Sequence, residues 1–419
     1  MRMAEHSVRH ERRNFILNGI EGALFMSSAA FISSQTVLPA LITRLGGSNV
    51  AVGALGVMVY VGLFLPQIFA ARYVETLQWK KPWAVSVGLI QRVVILLIGL
   101  NLLLFGTTRP SLALWLFLIL FCLSQMLMGI ATPGWFDLFA KLTPADKRGR
   151  LIGLRNSLGG GSSFICGLIL IWLLAAFHFP LSYALAFVFA FVFQLASIVV
   201  QIKLVEEEPS TAVQRKPMFA FLKELPNVLR RNKEFKRFII SSPFLILATM
   251  PVGFFTVYAL KHFGATESVV GQFTLTIVAT QVVSALVMGY LADRHGNKIS
   301  LVCSAVGMLC ASVWALLAPS LDWFRLVFMF LGVNLGTEVM ARYNMSIEYG
   351  PAEQRSTYVG LMNTLLAPFY ISGMIGGFLS DRFGYATVFY VGILFSLMGI
   401  SMLVFRVRDP RFLKERMKS

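Results

Sequence analysis

Charge is what this sequence has least of. Asp, Glu, Lys and Arg make up only 14% of its 419 residues, against 57% hydrophobic residues, where a soluble domain carries about 25% charged residues. A soluble chain of this length would lack the polar side chains to cover its surface, so the bilayer is its natural solvent. Cysteine is also scarce. Cys122, Cys166, Cys303 and Cys310 all fall in apolar stretches, where they act as small buried hydrophobes and imply no disulfide framework. The five histidines, His6, His10, His178, His262 and His295, are scattered without metal-ligand spacing, so no metal site is expected. Gly159-Gly160-Gly161 is not followed by Lys-Ser or Lys-Thr, which excludes a Walker-type phosphate loop. No Gly-x-Ser-x-Gly nucleophile elbow occurs. The sequence therefore predicts no catalytic residue, no cofactor and no enzyme activity.

What is present is a series of long charge-free runs: 22–43, 45–71, 93–108, 110–136, 156–202, 238–260, 268–292, 299–321, 326–337, 356–380 and 383–405. A helix needs about 20 residues to cross a bilayer. The run 156–202 accommodates two crossings, broken at Phe177-His178-Phe179-Pro180, and 326–337 is short only because Glu338 and Arg342 lie inside its helix. The expected fold is all-α, with twelve spans. A barrel would show alternating ten-residue segments instead.

The basic residues set the orientation. Of the 37 lysines and arginines, Arg44, Arg109, Lys261, Arg325 and Arg382 fall on one side and Arg92 within a helix; the other 31 share the opposite side with both termini. The positive-inside rule places that side in the cytoplasm. The formal charge of +17 is then accounted for without a nucleic acid partner. The apolar run that follows the polar lead exceeds a signal h-region, so no cleaved leader is expected.

The chain divides into a cytoplasmic N-terminal tail (1–14), a six-span bundle (15–203), a cytoplasmic linker (204–234), a second six-span bundle (235–406) and a basic cytoplasmic tail (407–419). The linker opens on an acidic segment, Glu206-Glu207-Glu208-Pro209-Ser210. It continues with apolar residues from Met218 to Leu229 interleaved with Lys223, Glu224, Arg230 and Arg231, the pattern of an amphipathic helix at the membrane surface. The bundles are repeats. Pro144-Ala-Asp-Lys-Arg148 and Gly153-Leu-Arg-Asn156 recur 207 residues later as Pro351-Ala-Glu-Gln-Arg355 and Gly360-Leu-Met-Asn363. Earlier the offset is 218: Gly46, Gly53, Glu75 and Lys80 fall on Gly264, Gly271, Asp293 and Lys298.

Between spans 8 and 9 stands Gly289-Tyr-Leu-Ala-Asp293-Arg294-His-Gly296-Asn-Lys298. Gly289 permits close helix approach, Gly296 a tight turn, and Asp293 can accept from the N–H groups opening a neighbouring helix. A degraded copy sits after span 2, with Ala71, Glu75 and Lys80, and an echo, Gly377-Phe-Leu-Ser-Asp381-Arg382-Phe-Gly384, closes span 11. In a duplicated twelve-span chain this loop resembles the signature of the major facilitator superfamily, over residues 14–406. The resemblance implies two pseudo-symmetric six-helix bundles, alternating access, a central cavity lined by spans 1, 4, 7 and 10, and a functional monomer. It also implies that Asp137 and Glu348 are the acidic partners of the two loops, so that Gly289, Asp293, Arg294, Gly296, Lys298, Glu75, Lys80, Asp137 and Glu348 form the gate. Gln125 stands before Gly129 where many drug exporters of the superfamily carry arginine, and the glycine triplet of span 5 lacks their proline.

Ionisable groups inside a membrane are functional candidates by default. Glu21 lies roughly two turns into span 1. Desolvation disfavours its charged form, making it the candidate proton-coupling residue. Glu338 and Arg342 are four apart, acid first, the favourable order for an intrahelical pair; they are substrate-cavity candidates with Asn334, Trp135, Phe136, Phe254 and Tyr258. Arg92, in a span that the resemblance makes peripheral, reads as structural. Gly332/Gly336 and Gly373/Gly377 have the spacing of tight helix contacts. The expected function is a secondary transporter in the bacterial inner membrane, moving a small solute by alternating access with a proton as candidate coupling ion and lipid as its surroundings. The competing reading is a receptor, assembly factor or scaffold that retains the fold without transport, against which the intact loop motifs argue.

Overall fold

The computed structural model describes residues 2–144, 146–210, 229, 232–350 and 355–411, with side chains from residue 10 and, after the gap at 351–354, from residue 358. All regular structure among them is helical, as spanning chains require when lipid offers no partner for backbone N–H and C=O groups. The helices are α1 (Arg2–Phe31), α2 (Val37–Arg44), α3 (Asn49–Thr76), α4 (Lys81–Phe105), α5 (Pro110–Leu142), α6 (Arg148–Ala176) and α7 (Leu181–Ile202) in the first half. The second half holds α8 (Lys233–Ala248), α9 (Val252–His262), α10 (Glu267–His295), α11 (Asn297–Leu317), α12 (Leu321–Tyr349), α13 (Arg355–Leu366), a 3-10 turn (Ala367–Ile371), α14 (Ser372–Phe383) and α15 (Tyr385–Phe405). Among the described residues, 11 helical segments are long and apolar enough to cross a membrane; α1, 30 residues long, is the twelfth long segment. The protein is an integral, multi-pass membrane protein. The segment expected as an N-terminal tail is already helical from Arg2, and most of the expected amphipathic linker helix lies outside the described residues.

Three spans are interrupted. Span 1 breaks between α1 and α2, and span 7 between α8 and α9, where Thr249, Met250 and Val252 donate to carbonyls three residues back. The 218-residue offset carries Ile32, in the first break, onto Met250, in the second, so the break itself is repeated. Span 11 is interrupted by the 3-10 turn, which opens at Ala367-Pro368. Irregular backbone at membrane depth is tolerated where protein covers it or it lines a cavity; Phe31 and Thr36 are fully buried and Met250 nearly so.

The chain forms two compact units: residues 1–47, 58–214 and 267–275, and residues 48–57, 215–266 and 276–419. They depart from the sequence halves by two short exchanged segments at the starts of α3 and α10. Each unit uses the same pairings. In the first, α4 packs on α5 and α7, and α7 on α1; in the second, α11 packs on α12 and α15, and α15 on α8. In the first unit Phe117 stacks on Phe121 at 5.8 Å; in the second Phe235 lies 4.5 Å from Tyr358. Lipid supplies no hydrophobic drive between helices, so close packing carries much of the association. Gly332 and Gly336 lie against Thr280 and Gln281 of α10, and Gly373 and Gly377 against Gly53 and Asn49 of α3, the tight contacts expected from their spacing.

The motif and its echo build one turn. Gly296 (φ 85°) and Gly384 (φ 84°) share ψ 165°, each ending one helix and starting the next. Only glycine adopts this backbone readily.

Candidate functional site

The first unit buries an acid inside span 1. Glu21, on α1, is 3% exposed. Its Oε2 accepts from Arg155 Nη1 of α6 at 2.6 Å and its Oε1 from Ser197 Oγ of α7 at 3.1 Å. The same Arg155 nitrogen donates to the Asn18 carbonyl at 2.7 Å and to Asn18 Oδ1 at 3.2 Å. The guanidinium lies 4.7 Å from the Trp135 ring centre, a cation–π contact from α5. Gly22 makes room for it: a Cβ there would collide with Arg155 Nε and Cζ. Arg92 sits in the same neighbourhood, electrostatically coupled to Glu21. Its donors go to Gly88 O, Gln91 Oε1 and Gln194 O at 3.1, 3.2 and 3.4 Å, in keeping with the structural role expected for it.

Sequence reasoning selected Glu21 and Trp135 but missed Arg155, Ser197 and Asn18. A signal existed in the repeat. The 218-residue offset takes Glu21 to Ile239, and the 207-residue offset takes Arg155 to Met362; both are buried apolar residues. The acid and the base are therefore both absent from the second half, as expected of one interacting pair.

In the second unit Glu338 Oε1 meets Arg342 Nη1 at 3.1 Å, the intrahelical pair expected from their spacing. Arg342 Nη2 also donates to Tyr370 OH at 2.9 Å. Tyr370 stands in the 3-10 interruption of span 11, a position that helical periodicity could not anticipate. The other cavity candidates are placed differently. Asn334 Nδ2 donates to Ser304 Oγ at 2.8 Å and to Ser304 O at 3.2 Å, a polar clasp between α12 and α11. Phe254 is 1% exposed and packs beside Gly376. Tyr258 stacks on His262 at 4.7 Å and meets Phe389 edge-on at 5.4 Å. Phe136, 56% exposed, meets Trp135 edge-on at 5.0 Å.

Two helix starts beside the loop motifs are capped by acids that follow spans 6 and 12. The Glu206 carboxylate accepts from the Lys80 and Lys81 backbone N–H groups, both at 3.0 Å, at the start of α4. Asp409 Oδ2 accepts from Lys298 N at 2.9 Å at the start of α11. Both satisfy otherwise orphaned donors and suit the positive end of the helix dipole. Glu206 is thus a buried ligand, not part of a free acidic linker, and it pairs with Lys141 at 2.8 Å. Lys80 Nζ approaches Asp137 at 3.9 Å and donates to Val74 O. Glu348 accepts from Asn297 Nδ2 at 3.0 Å and pairs with Arg411 at 3.4 Å. Arg411 also bonds the Asp293 carbonyl at 2.9 Å. Arg294 lies 4.5 Å from the Tyr290 ring centre, Lys298 Nζ donates to Val404 O, and among the described residues none would come within 4 Å of a Cβ at Gly289. In span 11, Asp381 accepts from Asn49 Nδ2 at 2.7 Å, while Tyr385 OH donates to Asn49 Oδ1 at 2.9 Å. Among the described residues no cluster of His, Cys, Asp and Glu could hold a metal.

Comparison with known proteins agrees with this architecture. The chain is 28% identical over 173 residues to the 4-hydroxybenzoate transporter PcaK of Acinetobacter baylyi, covering 39% of this chain and 36% of that protein. It is 28% identical over 143 residues to the multidrug resistance protein MdtG of Dickeya zeae, 33% of each. The chain thus spans about a third of the length of the curated relatives it matches. Among solved structures it shares the fold of a D-xylose-proton symporter, with TM-score 0.66, 15% identity, and 95% and 98% of the two chains covered. The nucleoside transporter NupG superposes with TM-score 0.64 at 13% identity, covering 94% and 97%. The sequence profile of the Major Facilitator Superfamily matches residues 20–260 and 238–417, nearly the whole chain, and the protein belongs to that superfamily.

Proposed function

We propose that the protein is a secondary transporter that moves a small solute across the bacterial inner membrane by alternating access, with both termini cytoplasmic, and that it works as a monomer. It is not an enzyme. The observation that carries the reading is the superfamily match across both halves. Interrupted spans support it, because discontinuous helices mark substrate and ion sites in transporters built from repeats. The solutes named for two similar proteins, 4-hydroxybenzoate and D-xylose, are small molecules, and the second is named as a proton symporter. The retained fold as a mere scaffold is not favoured, since a static protein gains little from two built helix-start caps at its loops. The domain limits proposed from the sequence, 15–203 and 235–406, stand as the working division.

Glu21 is the proposed proton site. Protonation would discharge Oε2 and release Arg155 from a buried pair, and a buried charge left without its partner costs about 3–5 kcal/mol. Proton uptake and rearrangement around α1, α6 and α7 are therefore linked. Glu338, Arg342 and Tyr370 form the proposed second polar cluster. The test is a ligand screen by thermal stabilisation at two pH values, followed by flux in proteoliposomes. A solute at 100 times its dissociation constant adds about 2.7 kcal/mol of stability. A stabilising solute that is also carried across the bilayer supports the reading. A stabilising solute that never crosses overturns it.

A further inference from the structure

We propose that the first unit binds an anionic phospholipid at the cytoplasmic rim between spans 3 and 6, with its phosphate on Arg13, Lys81 and Lys203 and its acyl chains along α4 and α7. The site goes beyond the transporter reading and does not depend on it.

Three cations converge on one short stretch of chain. Span 6 ends at Ile202, and Lys203-Leu204-Val205-Glu206 follows it. Arg13 Nη2 of α1 donates to Lys203 O at 3.0 Å, and Lys81 Nζ of α4 donates to Leu204 O at 2.8 Å. Asn14 holds the next residue, donating from Nδ2 to Val205 O at 2.9 Å and accepting from Val205 N at 3.0 Å. The segment is therefore fixed from both sides, and two cationic heads sit on consecutive carbonyls beside the exposed Lys203. Neutral carbonyls orient these cations but leave their mutual repulsion in place.

Among the described residues no carboxylate forms an ion pair with any of the three. Glu206 accepts from Lys80 N and Lys81 N and pairs with Lys141. Glu207 pairs with His10, and Glu11 with Lys147. Glu208 is exposed and pairs with none of the three. A fixed cluster of cations at the end of a span, without a counter-charge from the protein, is the electrostatic form of a headgroup site.

The apolar part of the site leads up to the same place. Spans 3 and 6 pack closely: a Cβ at Gly88 would meet Ile198, and one at Gly99 would meet the Ala184 carbonyl. Beside this seam α4 exposes Ile90, Val93 and Leu97, and α7 exposes Val192, Val199 and Ile202. Apolar faces of this kind on spanning helices suit acyl chains. Because α4 starts at Lys81 and α7 ends at Ile202, both stripes run to the cation cluster. Inorganic phosphate would satisfy the cations and leave the stripes unused, whereas a phospholipid matches both. Its phosphate braces the segment directly before Glu206, the acid that caps α4.

The experiment follows the unfolding temperature of the full chain in detergent as phosphatidylglycerol, phosphatidylcholine or inorganic phosphate is added. Phosphatidylglycerol should raise it at concentrations where the other two do not. Lys203→Gln should raise the half-saturating phosphatidylglycerol concentration about fivefold, the effect of one cation at an anionic lipid surface. Arg13→Gln combined with Lys203→Gln should raise it about 25-fold. Both side chains are exposed, so the lipid-free unfolding temperature of these variants should match wild type. Lys236→Gln removes an exposed cation of α8 outside the cluster and should leave the half-saturating concentration unchanged. Equal stabilisation by the two lipids, the same loss in Lys236→Gln as in Lys203→Gln, or equal stabilisation by inorganic phosphate overturns the proposal. No step of the measurement involves transport, so the site and the transporter reading stand or fall separately.

Discussion

Glu21 and Arg155 show how much one side chain depends on its partner. A carboxylate inside a span invites a functional reading, but the partner on α6 specifies what that function can be. Glu21→Gln should leave the protein folded, because the amide oxygen still accepts from Arg155. Flux driven by a pH gradient should then be lost while exchange of solute at equal pH persists. Gradient-driven flux equal to wild type would remove Glu21 from the coupling role. A second prediction concerns backbone. Gly384 has open space around it, so Gly384→Ala should cost only the disallowed conformation, about 1–3 kcal/mol. Gly296 has the same backbone conformation, but an added Cβ would also collide with the Asp409 carboxylate. Gly296→Ala should therefore lower the unfolding temperature more than Gly384→Ala, and the reverse order would refute the account of this turn.

At the scale of elements, the acids after spans 6 and 12 join the end of one helix to the start of another. Glu206→Gln should cost about 1–2 kcal/mol for the weakened cap, and more because Lys141 is left without its counter-charge. Adding Lys141→Met should restore part of that loss. A double mutant no better than Glu206→Gln, measured by thermal unfolding, would show that the ion pair adds nothing beyond the cap. These caps were not read from the sequence. The loop motif drew attention to Asp293 and Glu75, whereas the acceptors stand more than a hundred residues away, in segments that carry no periodicity. The breaks in spans 1 and 7 were equally hidden, because an apolar run reads the same whether its helix is continuous or broken. The small-residue contacts of Gly332, Gly336, Gly373 and Gly377 were legible, since their spacing alone puts them on one face.

For the whole molecule, alternating access requires regions distant in sequence to part and rejoin. Asn49, from the first half of the sequence, bonds Asp381 and Tyr385 from the second. Joining Asn49→Cys to Asp381→Cys with a short thiol cross-linker should stop flux, and reduction should restore it. Undiminished flux in the cross-linked protein would favour a static scaffold over a transporter. The four native cysteines are free, so the cross-link belongs in a background where they are replaced by serine or alanine.

The class of fold was already written in the order of the residues. Scarce charge, long apolar runs, basic residues confined to one side and a constant offset between repeats leave little besides a duplicated helical membrane protein, because lipid permits so few alternatives. Glu21 and the Glu338–Arg342 pair were legible too, since a charge within an apolar run is conspicuous. Their partners became visible only once the helices were packed: Arg155 and Ser197 for Glu21, Tyr370 for Arg342, Glu206 and Asp409 for the helix starts. Those pairings join separate helices, and helical periodicity reports which face a residue occupies but not which neighbour that face meets.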